Sequence, residues 1–134
     1  MNPRILVTVS RSWSSWRTMQ EVLGKCFAEH PDAVLVHGAA PRGDSDAAGI
    51  WHGLGGETEA WPAKWRECGT DCRHKLTTSG HCPYAGYRRN LAMVESAPDL
   101  TLAFIRKASR GATHCAKAAE DAGIPTVYYR QGES

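Results

Sequence analysis

The sequence predicts an α/β domain: a parallel sheet with helices packed on both faces. Two observations carry this expectation. Strand-like runs begin at Ile5, Ala33, Glu57, Leu100 and Thr126, and stretches with helical spacing of apolar residues separate most of them. Turn residues punctuate the alternation at Pro31-Asp32, Gly55-Gly56, Ala97-Pro98 and Gly123. Strand–helix alternation in one short chain is met by parallel strands with helical crossovers, and such sheets bind ligands outside the carboxyl ends of their strands.

The elements follow in order. Ile5 to Val9 is short, apolar and rich in β-branched residues, and reads as the first strand. Ser14 or Ser15 can cap the next helix, whose apolar stripe is Trp16, Met19, Leu23, Cys26 and Phe27. Ala33 to His37 is the second strand, followed by a small-residue loop from Gly38 to Gly43. The helix after it carries Ala47, Ala48, Ile50, Trp51 and Leu54, and Gly55-Gly56 stops it. Glu57 to Trp61 is a third, weaker strand ended by Pro62. Residues 63–84 are polar and aperiodic. Ala85 to Ser96 returns to helical spacing with Tyr87, Leu91 and Val94 on one face, and Ala97-Pro98 ends it. Leu100 to Ile105 is the clearest strand, Ala112 to Ala122 an alanine-rich helix, and Thr126 to Tyr129 the last strand, leaving residues 130–134 as a tail.

Size and charge narrow the function classes. The chain has 134 residues, which fits one domain over 1–134 with a core that needs no disulfides. A formal net charge of +2 is too small to argue for nucleic acid or an anionic membrane. No apolar run approaches the roughly 18 residues that span a bilayer, and Met1-Asn2-Pro3-Arg4 leads straight into a strand without a signal peptide's apolar region. A cytoplasmic protein is expected. Five cysteines are then better explained by buried thiols or a metal than by disulfides.

Three loops and one helix start carry the candidate chemistry. After the first strand, Ser10, Arg11 and Trp13 offer a hydroxyl, a guanidinium and a ring beside a helix N-terminus. Trp13 reads either as a stacking plane or as a lid on the core. After the second strand, Gly38, Ala39 and Gly43 let backbone N–H groups approach a phosphate, Arg42 adds charge, and Asp44 and Asp46 cap the helix or accept ribose hydroxyls. After the fourth strand, Ser109, Gly111 and Thr113 form a turn into a helix, flanked by Arg106, Lys107 and Arg110. Arg88 and Arg89 sit in the first turn of the helix from Ala85, where they oppose the macrodipole; they either face solvent or await an anion.

Together these segments resemble the SLOG superfamily, in particular its compact YspA/YpsA-like branch, of the type found in actinobacteria and their phages. The resemblance runs through Ile5-Leu6-Val7-Thr8-Val9-Ser10-Arg11 with Trp13, Val36-His37-Gly38-Ala39-Ala40-Pro41-Arg42-Gly43, and Trp61-Pro62-Ala63 with Trp65. It continues through Ala85-Gly86 with Arg89-Asn90 and Met93, and Ala103-Phe104 with Ser109-Arg110-Gly111-Ala112-Thr113. It covers nearly the whole chain in order. It implies a three-layer Rossmann-like sheet and a pocket for a nucleotide or a nucleotide-derived, ADP-ribose-like molecule, which the protein senses or sequesters. Ser10, Arg11, Arg89, Asn90, Ser109, Gly111 and Thr113 would hold it. The superfamily also includes phosphoribohydrolases that cleave the base from a nucleoside 5′-monophosphate, and DNA-processing proteins. The hydrolases' Gly-Gly-x-Gly-Thr-x-x-Glu motif is replaced here by Ser109-Arg110-Gly111-Ala112-Thr113-His114-Cys115-Ala116, with no glutamate in register. An N-glycosidic hydrolase would need Asp44, Asp46 or Glu57 in its place. The weak net charge argues against the DNA-associated alternative. Relatives often dimerise, so a homo-oligomer is expected, with Trp51, Trp61 and Trp65 available to an interface or to the core.

The insert holds Cys68, Cys72, His74, His81 and Cys82 within fifteen residues. Thiolates and imidazole suit tetrahedral zinc, and a clip would order a loop that has no hydrophobic pattern. Cys68, Cys72, His74 and Cys82 are the expected ligands of a structural zinc, with His81 as the substitute fourth. Cys26 and Cys115 lie on apolar helix faces and read as buried small hydrophobes.

Overall fold

A computed structural model of the chain describes residues 2–65, 82 and 84–131. Five strands alternate with four helices: β1 (Arg4–Val9), α1 (Trp16–Glu29), β2 (Val34–His37), α2 (Asp44–Gly53), β3 (Glu57–Ala60), α3 (Ala85–Glu95), β4 (Leu100–Arg106), α4 (Arg110–Asp121) and β5 (Thr126–Gln131). The strands form one sheet in the order β3-β2-β1-β4-β5. Every pairing is parallel. This is the three-layer, Rossmann-like α/β arrangement expected from the alternation.

Period-two alternation divides the strand residues between two cores. Ile5, Val7 and Val9 face one side with Leu35, Leu102 and Phe104, where Met19, Leu23 and Cys26 of α1 and Ala47 and Trp51 of α2 cover them. Leu6 and Val36 face the other side, against Met93 and Val94 of α3 and Cys115 and Ala119 of α4. Ala103 and Ile105 meet Ala112 and Ala116 there. The small face of α4 lets that helix lie close on β4. Cys26 and Cys115 are both buried, as expected of small hydrophobes. Trp51 is fully buried, packs edge-on to Phe27 and donates its indole N–H to the Ala33 carbonyl at 3.2 Å. It belongs to the core.

The last strand is longer than its composition predicts. It reaches Gln131, paired with Arg106, because the Gln131 side chain is used. Its Oε1 accepts the backbone N–H groups of Ser14 and Ser15 at 2.9 and 3.3 Å. Ser15 is the cap of α1, accepting from the Thr18 N–H at 3.4 Å. No helix among the described residues is long and apolar enough to cross a membrane.

β1 and β4 are neighbours, while their connections run to opposite sides of the sheet. The strand order therefore reverses between them, and a crevice opens at their carboxyl ends.

Candidate functional site

A cavity of about 380 Å³ occupies that crevice, within the size range of small-molecule sites. Its floor is the end of β1, Thr8 to Ser10, continued by Arg11 and Ser12. Ser109, Gly111 and Ala112 close one side at the start of α4. Gly86, Tyr87, Arg89 and Asn90 close another at the start of α3, with Trp65 beside them. From the β2–α2 side only Ala40 and Asp44 reach it.

Ser10 knits the two central strands together. Its N–H donates to the Phe104 carbonyl at 2.9 Å, and its Oγ accepts the Arg106 N–H at 2.9 Å. The same Oγ lies 2.6 Å from the Ser109 Oγ. Ser109 is the N-cap residue of α4 but makes no side-chain cap bond, and the helix has no acid in its first turn. Two hydroxyls and an uncapped helix start thus share one wall.

Arg89 is the principal cation. Its Nη1 donates to the carbonyls of Gly38 and, at 3.3 Å, Trp61, and its Nε donates to Asn90 Oδ1 at 2.9 Å. All three acceptors are neutral. Burial pulls the guanidinium below its usual range, opposed by the negative charge of Asp44. Gly38 is required for this seat: a Cβ there would come within 2.5 Å of Arg89 Nη1 and 2.8 Å of Asp44 Oδ2.

Among the described residues, Asp44 is the carboxylate of the cavity. Its Oδ1 accepts the Val9 N–H at 3.1 Å and its Oδ2 the Gly38 N–H at 2.9 Å, so one side chain joins the ends of β1 and β2. Burial pushes this carboxyl up to about 6, against the pull of those N–H groups and of Arg89 and Arg11. Asp46, by contrast, caps α2 through the Gly43 N–H at 3.1 Å. His37 accepts the Ala39 N–H on its Nδ1 at 3.0 Å, and burial, then the charge of Arg89, lowers its pKa. His114 is also lowered by burial; its Nδ1 faces Asn90 Nδ2 at 3.3 Å. Burial thus disfavours the charged form of both imidazoles.

Of the residues singled out from sequence, the cavity brings together Ser10, Arg11, Asp44, Arg89, Asn90, Ser109 and Gly111. Gly38 lies behind it, under Arg89. Ala39, Arg42 and Gly43 shape the turn instead, all three in the left-handed region, with φ of 57°, 65° and 53°. At Gly43 a Cβ would meet the Val9 carbonyl oxygen at 3.0 Å, so glycine is needed there. Trp13 lies on the core: its ring stands edge-on to Phe104 at 5.3 Å and its N–H donates to the Ser15 carbonyl at 3.0 Å. Thr113 is one turn too far along α4 and faces a shallow groove between α3 and α4, its Oγ1 buried without a partner. Glu57 is exposed on the edge strand β3. Trp65, Gly86 and Tyr87 reach the cavity although no local pattern marks them as ligand-facing.

Of the expected zinc ligands, Cys82 is buried and its sulfur accepts two N–H groups of Arg88, at 3.5 and 3.6 Å. Cys68, Cys72, His74 and His81 lie outside the described residues.

The sequence profile described as the YspA, cpYpsA-related SLOG family matches residues 3–66, which run from β1 through β3. The Gene 61 protein of Mycobacterium phage D29 is 34% identical over 128 residues, covering 94% of this chain and 95% of that protein. That relative therefore aligns across both halves of the cavity.

Proposed function

The chain belongs to the YspA, cpYpsA-related SLOG family, and from that premise we propose that it binds a nucleotide or a nucleotide-derived, ADP-ribose-like molecule at the carboxyl ends of β1 and β4, sensing or sequestering it. Arg89 carries this reading. A half-buried guanidinium lines the cavity with only neutral hydrogen-bond acceptors among the described residues. Asp44 offsets the cost of burying this charge only in part, and a bound anion would complete it. The Ser10–Ser109 hydroxyl pair and the first N–H groups of α4 supply uncharged donors beside it. Thermal unfolding with AMP and with ADP-ribose tests the reading. A bound ligand at 100 times its Kd should stabilise the chain by about 2.7 kcal/mol. Absence of any shift with either ligand and with inorganic pyrophosphate would sink it.

Asp44 favours a second reading, hydrolysis of a nucleoside 5′-monophosphate at its N-glycosidic bond. Among the described residues it is the carboxyl group that lines the cavity, and its pKa of about 6 suits proton donation near neutrality. Both of its oxygens already accept backbone N–H groups, which ranks this reading below simple binding. Release of free base from AMP, GMP, CMP or UMP, lost in Asp44→Asn, is the expected signature.

A structural zinc on Cys68, Cys72, His74 and Cys82 completes the proposal. Two guanidinium N–H groups on the Cys82 sulfur suit a thiolate ligand and its outer shell. One zinc per chain in native mass spectra, absent in Cys82→Ser, is the expected result.

A further inference from the structure

The cavity has polar and aromatic walls. The polar wall is Ser10, Ser109 and Arg89. The aromatic wall is Trp65 and Tyr87, with the small residues Gly86, Ala40 and Ala112 around them. Trp65 is 36% exposed, which is high for so large an apolar side chain. Its six-membered ring lies over the start of α3, where a Cβ on Gly86 would come within 3.2 Å of Cη2 and 3.9 Å of Arg89 Nη2. The indole therefore sits next to the cation. Tyr87 is fixed from behind by the His114 ring, 4.6 Å away between centroids.

The polar group between these rings and α4 is already committed. Asn90 Nδ2 donates to the Gly111 carbonyl and faces His114 Nδ1, both at 3.3 Å, while its Oδ1 accepts from Arg89 Nε. Asn90 is buried, and both ends of its amide are engaged by the protein.

We propose that Trp65 and Tyr87 form the ring-binding wall of this cavity, so that its ligand is a phosphate ester carrying a planar heteroaromatic base, held by stacking with little discrimination among bases. The inference rests on the nucleotide-binding reading above and assigns the residues that hold its base. Stacking on an aromatic face is tolerant of base identity because every base offers a π-surface, and purines offer the larger one. Gly86 has a defined part here: it is the residue that lets the indole lie down on α3.

Isothermal titration at one salt concentration with AMP, CMP and ribose 5-phosphate tests the wall. The wild-type chain should bind AMP roughly tenfold to a hundredfold more tightly than ribose 5-phosphate, with CMP between them. Trp65→Ala should bring AMP down to the level of ribose 5-phosphate while leaving ribose 5-phosphate itself unchanged, which also reports an intact fold. Trp65→Phe should restore most of the difference. Gly86→Ala should weaken AMP only slightly, because the indole has to yield by a few tenths of an ångström. Equal binding of AMP and ribose 5-phosphate by the wild type, or equal loss of both in Trp65→Ala, overturns the ring wall while leaving the anion site standing. Failure of all three compounds to bind overturns both.

Discussion

The N-termini of α2 and α4 lie at the same end of the sheet and are completed in opposite ways. The first turn of α2 contains its own anions: Asp46 returns to the Gly43 N–H, and Asp44 takes the N–H groups of Val9 and Gly38. The first turn of α4 contains no acid, and its N-cap serine turns to Ser10 instead of the helix. Both helix starts carry the same positive end of a dipole. One is neutralised by the chain, and its loop serves the fold. The other is left to whatever enters the cavity. Between these two helices, the acid in the first turn marks the start that serves the fold and its absence the start left to a ligand.

The largest test of this contrast is Asp44→Ala. It would leave two buried N–H groups without acceptors and separate the ends of β1 and β2, at a cost of about 2–4 kcal/mol in urea unfolding. A loss below about 1 kcal/mol would mean that the α2 start is not the structural one. The pH dependence sharpens the same point. The folded pKa of Asp44 is about 6 and its ordinary value 3.8, so the neutral acid is the form the fold prefers. Its contribution is whole below 3.8 and is lost as pH rises through about 6. Between those values stability should fall by about 1.4 kcal/mol per pH unit from this group. Comparison of unfolding at pH 5 and pH 7.5 should show that slope in the wild type and its loss in Asp44→Asn.

Ser109→Asp converts the second helix start into the first kind. The new carboxylate would cap α4 and raise stability by about 0.5–1 kcal/mol. It would also lower AMP affinity by about tenfold or more, through repulsion of the phosphate. Gain of stability without loss of binding would erase the distinction. The smallest effect is expected from Asp46→Ala, which removes one cap bond worth about 0.5–1 kcal/mol and should leave AMP titrations unchanged.

The sheet and both helix layers were legible because β-branched runs and helical stripes each have their own period. Local signals also placed Ser10, Arg89 and Ser109 at strand and helix ends, where the α/β topology puts ligands. Long-range geometry was not legible. Trp13 and Trp65 look alike in sequence, each lying a few residues beyond the end of a strand. Only packing puts Trp13 against Phe104 and Trp65 over Gly86. The seat that Gly38 provides for Arg89 joins residues far apart in the chain, and no periodicity encodes it. Likewise the extension of β5 depends on one glutamine side chain reaching the α1 cap.

The central position of β1 bears on how the protein is made. Its partner on one side, β2, follows closely, but its partner on the other, β4, ends only at Arg106. On a ribosome adding about 5–20 residues per second, the edge from Ile5 to Val9 stays unpaired for on the order of ten seconds. For that interval an apolar strand that ends in the middle of the sheet is an exposed margin, open to pairing with another nascent chain. Expression at lower temperature, or with chaperones that shield such margins, should favour soluble protein at the expense of inclusion bodies, with no change to the folded molecule.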